Sequence, residues 1–149
     1  MKATGVVRRI DDLGRVVIPK EIRKTLRIKE GDPLEIFTDK EGEVILKKYS
    51  PIGELSEFAA EYTETLAKTT GHIACITDRD TVIAVSGGSK KEFLEQGVSS
   101  ELEKIMEDKE KYTSRENNDM AVPITKNDNK ERRFNSQVVY PIISDGNTI

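Results

Sequence analysis

Gly5-Val6-Val7-Arg8-Arg9-Ile10-Asp11-Asp12-Leu13-Gly14-Arg15-Val16-Val17-Ile18-Pro19-Lys20-Glu21-Ile22-Arg23 sets two short β-branched runs on either side of a polar turn and stops the second at a proline. The β-branched residues predict strands over 5–10 and 15–18, and Asp11-Asp12-Leu13-Gly14 supplies the turn chemistry between them, with Gly14 able to take a positive φ. Pro19 suits the first turn of a helix, where its missing N–H would have no intrahelical partner. Ile22 and Leu26 then fall at i, i+4, so a short helix is expected over 19–27. Beyond Glu30-Gly31-Asp32-Pro33, the runs Leu34-Glu35-Ile36-Phe37 and Val44-Ile45-Leu46 flank Asp39-Lys40-Glu41-Gly42 and read as a β-hairpin with a loop of about four residues. Residues 1–50 thus form a first module too small to bury a sufficient core alone. The chain has one cysteine and so no intrachain disulfide to help. The module is expected to fold as a dimer with interlocked strands.

Charge is distributed unevenly. Residues 1–29 hold nine Lys or Arg against three acids, a net of +6, which leaves −9 for the remainder of a chain whose net charge is −3. Such asymmetry fits one segment that meets a polyanion and a remainder that meets something else; the plain alternative is a solvated charged face. The cations fall in three groups: Arg8 and Arg9 late in the first strand, Arg15 just after the turn, and Lys20, Arg23, Lys24 and Arg27 on the helix. Lys20, Lys24 and Arg27 follow i, i+4, i+7 and would share a face opposite Ile22 and Leu26. Duplex DNA carries one negative charge per roughly 1.7 Å, and clustered cations release its counterions. Arginine adds bidentate bonds to phosphate or guanine that lysine cannot match.

Ser50-Pro51-Ile52-Gly53 interrupts both periodicities, and a second module is expected over 54–149. Leu55, Phe58, Tyr62 and Leu66 recur at three- and four-residue steps in a helix over 54–70, closed by Gly71. That stripe fits packing within its own domain or against the same helix of another subunit. Strands follow at 73–77 and 82–85 around Asp78-Arg79-Asp80. Gly87-Gly88-Ser89 then leads into a helical stretch carrying Phe93, Leu94, Val98, Leu102, Ile105 and Met106. Residues 113–137 are polar enough to read mostly as loop, apart from Met120-Ala121-Val122-Pro123-Ile124. Val138-Val139-Tyr140-Pro141-Ile142-Ile143 reads as a strand and Ser144-Asp145-Gly146-Asn147 as a turn. A partner strand is expected past Ile149, which points to a natural C-terminal portion beyond it.

Other chemistry is poorly supported. No stretch approaches the roughly 20 apolar residues that span a bilayer, and no signal-peptide core is present, so a cytoplasmic protein without membrane contact is expected. Metal and cofactor sites are not expected, and no nucleophile–base pair or phosphate loop argues for an enzyme. Cys75 lies in an alternating apolar strand and reads as a core thiol, and His72 has no partner ligand nearby in sequence. Asp11 with Asp12, and Asp78 with Asp80, read as turn caps rather than paired catalytic carboxylates. Ser86, Gly87 and Ser89 could line a pocket, yet a Gly-Gly-Ser after a strand is more often a plain turn.

The run Lys2 to Arg23, with its D-x-x-G-R-V-x-I-P string at 11–19 and Leu26 and Glu30-Gly31-Asp32 downstream, resembles the swapped-hairpin DNA-binding domain of the AbrB family of bacterial transition-state regulators. Past residue 50, KKYSPIGELSEFAAEYTETL (47–66) and DRDTVIAVSGGSKKEFL (78–94) are similar to sporulation regulators of this kind in which a GAF-type domain follows. The resemblance implies two domains: an N-terminal swapped-hairpin, β-rich AbrB-type dimer domain and a C-terminal α/β (α+β) GAF-like domain joined by a helix. It implies DNA contacts from Arg8, Arg9, Arg15 and Arg23, to which the charge pattern adds Lys20 and Lys24; Lys24 stands where the family often has arginine. The implied partners are AT-rich double-stranded DNA, a second copy through the N-terminal domain, and a homotetramer through the C-terminal half. Leu55, Phe58, Tyr62 and Leu66 are the candidate oligomerisation residues, and an unidentified small-molecule effector is the further possibility. The function implied is regulation of sporulation and stationary-phase genes in an endospore-forming bacterium. The alternatives are an AbrB-like antitoxin, which would carry a short unstructured tail rather than a hundred patterned residues, and a GAF-type small-molecule sensor or interaction protein.

Overall fold

The computed structural model describes residues 4–115, 121–128 and 134–149, and the chain divides after Tyr49 into two units, Met1–Tyr49 and Ser50–Ile149. In the first unit the Asp11 N–H donates to the Arg15 carbonyl at 3.0 Å and the Gly14 N–H to the Asp11 carbonyl at 3.0 Å. Gly14 sits at φ +76°, a conformation that glycine adopts without a Cβ clash. The flanking runs 5–10 and 15–18, expected as strands, form no ladder. Their side chains explain why: Val7 is 89% exposed, and Ile10 and Val17 are each largely exposed. A two-stranded hairpin that covers neither face is not stable by itself.

Pro19, at φ −56°, precedes helix α1 (Lys20–Thr25), and its carbonyl accepts from the Arg23 N–H at 2.9 Å. The helix is shorter than the 19–27 expected. Arg27 takes the left-handed conformation at φ +54°, and the Ile28 N–H folds back to the Arg23 carbonyl at 2.8 Å. α1 buries none of its residues. Strands β1 (Leu34–Thr38) and β2 (Val44–Lys48) pair antiparallel, with Leu34 opposite Lys48 and Thr38 opposite Val44. Asp39 Oδ1 organises their loop, accepting from the N–H groups of Glu41 and Glu43. Among the described residues of this unit only Pro19 is buried.

The second unit has a core of its own. A 3-10 turn (Gly53–Leu55) leads into α2 (Ser56–Thr70). Gly71 closes α2 in the left-handed conformation, its N–H on the Ala67 carbonyl. Ala59 and Thr63 are the buried residues of α2, and the helix packs on β3 (Ala74–Thr77) and β4 (Val82–Ser86). These two strands pair antiparallel, with Cys75 opposite Val85 and an irregularity after Ile76. Their turn is capped by Asp78 Oδ1, which accepts from the N–H groups of Asp80 and Thr81.

The helical stretch expected after Ser89 is two helices, α3 (Lys90–Phe93) and α4 (Ser100–Asp108). Between them Gly97 bridges to Thr81 and Val98 to Thr125, so this segment is held extended. Ser99 then starts α4 as its N-cap, accepting from the Leu102 N–H at 3.0 Å. β5 (Tyr112–Ser114) pairs with β6 (Gln137–Val139), which corrects the reading of 113–137 as mostly loop at its two ends, while 121–128 and 134–136 lie outside any strand or helix. The parts of that reading on 116–120, Met120 included, and on 129–133 lie outside the described residues. β7 (Ile143–Ser144) pairs with β8 (Asn147–Thr148) around Asp145 and Gly146 at φ +49° and +77°, the two-residue turn that matches strand twist. The turn at 144–147 thus joins two short paired strands.

Among the described residues the core holds two clusters, one of Val82, Val85 and Phe93 and one of Val98, Leu102 and Met106, and Ile124 packs against both. The loop at Gly87 and Gly88 comes close to the chain before β3. A Cβ on Gly87, whose φ is +76°, would lie 2.8 Å from the His72 carbonyl oxygen, whereas one on Gly146, at φ +77°, would meet nothing within 4 Å. Gly146→Ala should therefore cost only the left-handed penalty of about 1–2 kcal/mol. Gly87→Ala should cost distinctly more, because a backbone oxygen must also move. Urea unfolding of the full chain, followed by circular dichroism, compares the two; equal losses would refute the close approach at Gly87.

Candidate nucleic-acid interface

The Asp11–Arg15 turn is where the sequence-predicted cations acquire defined geometry. Asp11 Oδ1 accepts from the Leu13 N–H at 3.0 Å and the Arg15 N–H at 2.8 Å, a side-chain turn that aspartate makes readily. Its other oxygen, Oδ2, accepts from Arg15 Nε at 2.7 Å. The pair remains open to solvent, with side chains 69% exposed for Arg15 and 36% for Asp11. The Arg15 N–H, then the Arg15 guanidinium, hold the Asp11 carboxyl below its ordinary value, so Asp11 is ionised at neutral pH.

Arg8 and Arg9 are exposed on the segment before this turn. Arg23 is half-buried, and its Nε donates to the Ile18 carbonyl at 3.2 Å, tying α1 back to the segment that enters it. Lys20 and Lys24 lie on α1 at i, i+4 and are exposed. Arg27, expected to extend their face at i+7, lies past the helix end in the left-handed conformation and does not continue it. The apolar face expected opposite these cations is not covered within the unit, because Ile22 is half-buried and Leu26 exposed.

Two features escaped the sequence reading. Asp11 reads there as a turn cap, and its grip on Arg15 is additional. Lys47 Nζ lies 4.8 Å from the centre of the Phe37 ring, a cation–π contact. The β1–β2 register places Phe37 opposite Ile45, so Lys47 is one diagonal step away, and a correctly registered hairpin would have located the pair.

In the second unit the stripe of Leu55, Phe58, Tyr62 and Leu66 lies outside the buried face of α2; all four are exposed, Phe58 by 62%. Phe58 and Tyr62 stack with ring centres 6.0 Å apart. The buried face instead carries Thr63, whose Oγ1 bonds Ser86 Oγ across to β4 at 3.2 Å. Ser86 and Gly87 therefore serve the docking of α2 and the turn after β4. A cavity of about 380 Å³ is lined by Lys109, Glu110, Lys111, Tyr140, Pro141 and Ile143. Among the described residues no three His, Cys, Asp or Glu gather as a metal site, and no helix is long and apolar enough to cross a membrane.

Comparison with known proteins follows the division into units. Residues 54–149 match the family described as stage V sporulation protein T C-terminal, transcription factor, and residues 7–54 match the family described as antidote-toxin recognition MazE, bacterial antitoxin. The chain is 54% identical over 149 residues to stage V sporulation protein T of Bacillus subtilis (strain 168), covering 100% of this chain and 82% of that protein. It is 63% identical over 51 residues to the transition state regulatory protein AbrB of the same organism, covering 34% of this chain and 52% of that protein. Among solved structures, the N-terminal DNA recognition domain of the Bacillus subtilis regulator AbrB aligns at 61% identity with a TM-score of 0.30, covering 34% of this chain and 94% of that one.

Cys75 offers a check on the packing of the second unit. Burial, with the Asp128 carboxylate adding to it, pushes its thiol from 9.0 up to about 11. The thiolate is the reactive form, so below the raised value the folded protein holds far less of it than an unfolded chain does. At pH 8 alkylation of Cys75 in the native chain should be about a hundredfold slower than in the denatured chain, the ratio of thiolate present in the two. Comparable rates measured by mass spectrometry would contradict its burial.

Proposed function

The chain belongs to the stage V sporulation protein T family of transcription factors, and from that premise we propose that it is an oligomeric DNA-binding regulator of sporulation-stage transcription whose first unit meets the DNA. The observation that carries this reading is the make-up of that unit. Exposed cations stand before the Asp11–Arg15 turn, on it and on the short helix after it, in a segment whose aliphatic side chains are also exposed. The cations call for a polyanion, and the aliphatics call for a second copy.

In this reading two first units interleave their 5–10 and 15–18 segments as a swapped-hairpin dimer, which supplies the ladder partners that one chain lacks. Arg8, Arg9, Arg15, Lys20, Arg23 and Lys24 then contact DNA. The preference is for AT-rich sites, read through shape and flexibility as much as base edges. Lys24 contributes as a point charge, without the bidentate geometry an arginine would give. The second unit is a GAF-like regulatory and oligomerisation domain joined by α2. The stripe of Leu55, Phe58, Tyr62 and Leu66 assembles dimers into a tetramer, and a small-molecule or protein signal acts on this half. The protein works in the cytoplasm as a binding protein, not an enzyme. The match of 54–149 to a transcription-factor family favours this over an antitoxin, although residues 7–54 also match an antitoxin family.

Fluorescence anisotropy with AT-rich duplexes tests the DNA contact. The full chain should bind at moderate salt; failure to bind would overturn the regulator reading. Arg15→Ala should weaken binding to every duplex tried and reduce the slope of log affinity against log salt by about one. An unchanged slope and affinity would remove Arg15 from the interface.

Sedimentation analysis tests the assembly. Phe58→Asp should lower the mass from tetramer to dimer while DNA binding by the dimer persists. A mass unaffected by the substitution would exclude the α2 stripe as the tetramer contact.

A further inference from the structure

We infer that Asp11 is a positioning residue for DNA binding, gripping the Nε edge of Arg15 so that the rest of the guanidinium is presented in a fixed orientation. The inference rests on the reading that Arg15 meets DNA. Asp11 divides its carboxylate between two tasks. Oδ1 accepts from the backbone N–H groups of Leu13 and Arg15, which sets the backbone from which Arg15 projects. Oδ2 accepts from Arg15 Nε at 2.7 Å, which restrains the side chain itself. A guanidinium carries five N–H groups, only one of them on Nε, so this contact leaves the terminal nitrogens as a fork suited to a phosphate. The fork is accessible, since the Arg15 side chain is 69% exposed.

Holding a long side chain in one orientation before binding removes part of the entropy lost on docking. The same carboxylate carries a cost: a negative charge on a DNA-facing turn repels the phosphates. The two effects have opposite signs and separate cleanly by substitution. Lysine has neither an Nε–H nor a terminal fork, so in an Arg15→Lys background the backbone bonds to Oδ1 and the repulsion persist while nothing is left for Oδ2 to orient. Asp11→Asn is the matching change at the other end. Its side-chain carbonyl still accepts the turn N–H groups, while its amide nitrogen replaces Oδ2 and cannot accept from Arg15 Nε.

The test measures DNA affinity by fluorescence anisotropy for four full-length chains: wild type, D11N, R15K and the double variant. D11N should weaken binding at least about threefold when position 15 is arginine, and should leave affinity unchanged or raise it when position 15 is lysine, a coupling of the size neighbouring residues show. The same fold-change in both backgrounds would overturn the inference while leaving the DNA-binding reading intact. Absence of wild-type binding would overturn both. NMR of the free chains supplies a readout that turn folding alone does not move: the Arg15 Nε–H resonance should shift and exchange faster in D11N while the Leu13 amide stays in place. A Leu13 amide that moves as far as the Arg15 Nε–H would mean that D11N disrupts the turn and that Asp11 acts only through the backbone.

Discussion

Lack of burial in the first unit is the constraint on which the rest depends. The aliphatic side chains before and after the Asp11–Arg15 turn are exposed, α1 buries nothing, and the β1–β2 hairpin leaves Ile36, Val44 and Leu46 open. Burial of apolar surface is the main favourable term in folding, so a segment like this gains its stability from whatever covers it. In the proposed dimer that cover is a second copy. The cations would then be placed by assembly as well as by local geometry, and DNA affinity would be coupled to chain concentration through the same contacts.

The second unit meets the constraint within its own chain, and does so with small clusters stitched by polar contacts. Ile124 joins the Val82–Phe93 cluster to the Val98–Met106 cluster. The segment around it is fastened by the Gln137 side-chain amide, which pairs with both backbone groups of Val122 at 2.9 Å, and by Ser99, whose hydroxyl donates to the Pro123 carbonyl at 2.5 Å. Thr148 Oγ1 in turn donates to the Met106 carbonyl at 2.7 Å. Buried polar groups paired in this way help to specify one arrangement of a lean core, Ser114 Oγ being buried without a partner among the described residues. α2 divides its surface accordingly, with Ala59 and Thr63 buried and Phe58, Tyr62 and Leu66 outward, so one helix can serve both the unit's core and an assembly contact.

What could be read from the sequence was mostly local. The turn at 11–14, the hairpin at 34–48, and α2 with its Gly71 cap are set by residues a few positions apart, and each is where its pattern placed it. The misreadings involve distant partners. Val98 fits a helical period, yet its bridge to Thr125 holds it extended. Tyr112–Ser114 is a strand only because Gln137–Val139 returns beside it. The runs 5–10 and 15–18 have strand composition but no ladder, because alternation forecasts a strand only when there is something to pack its apolar face against. In the candidate interface the cations were evident from composition, but their restraints were not. Arg27 occupies a left-handed position usually given to glycine, and nothing in the spacing of Ile18 and Arg23 announces a bond between carbonyl and guanidinium.

Those restraints set Arg15 and Arg23 apart from the lysines among the candidate cations. Arg15 and Arg23 each donate Nε–H to an acceptor of their own chain, the Asp11 carboxylate and the Ile18 carbonyl, and so keep their terminal N–H groups for other partners in a limited range of orientations. Lys20 and Lys24 end in compact ammonium groups on flexible stems, exposed along α1. On the proposed reading, flexible point charges neutralise phosphates wherever these lie within reach and add affinity with little regard to sequence. Fixed forks tolerate only a narrow range of phosphate positions, so they favour duplexes whose groove width brings the backbone to them. A regulator that recognises DNA by shape therefore needs few base contacts, provided that some of its arginines are held before the DNA arrives.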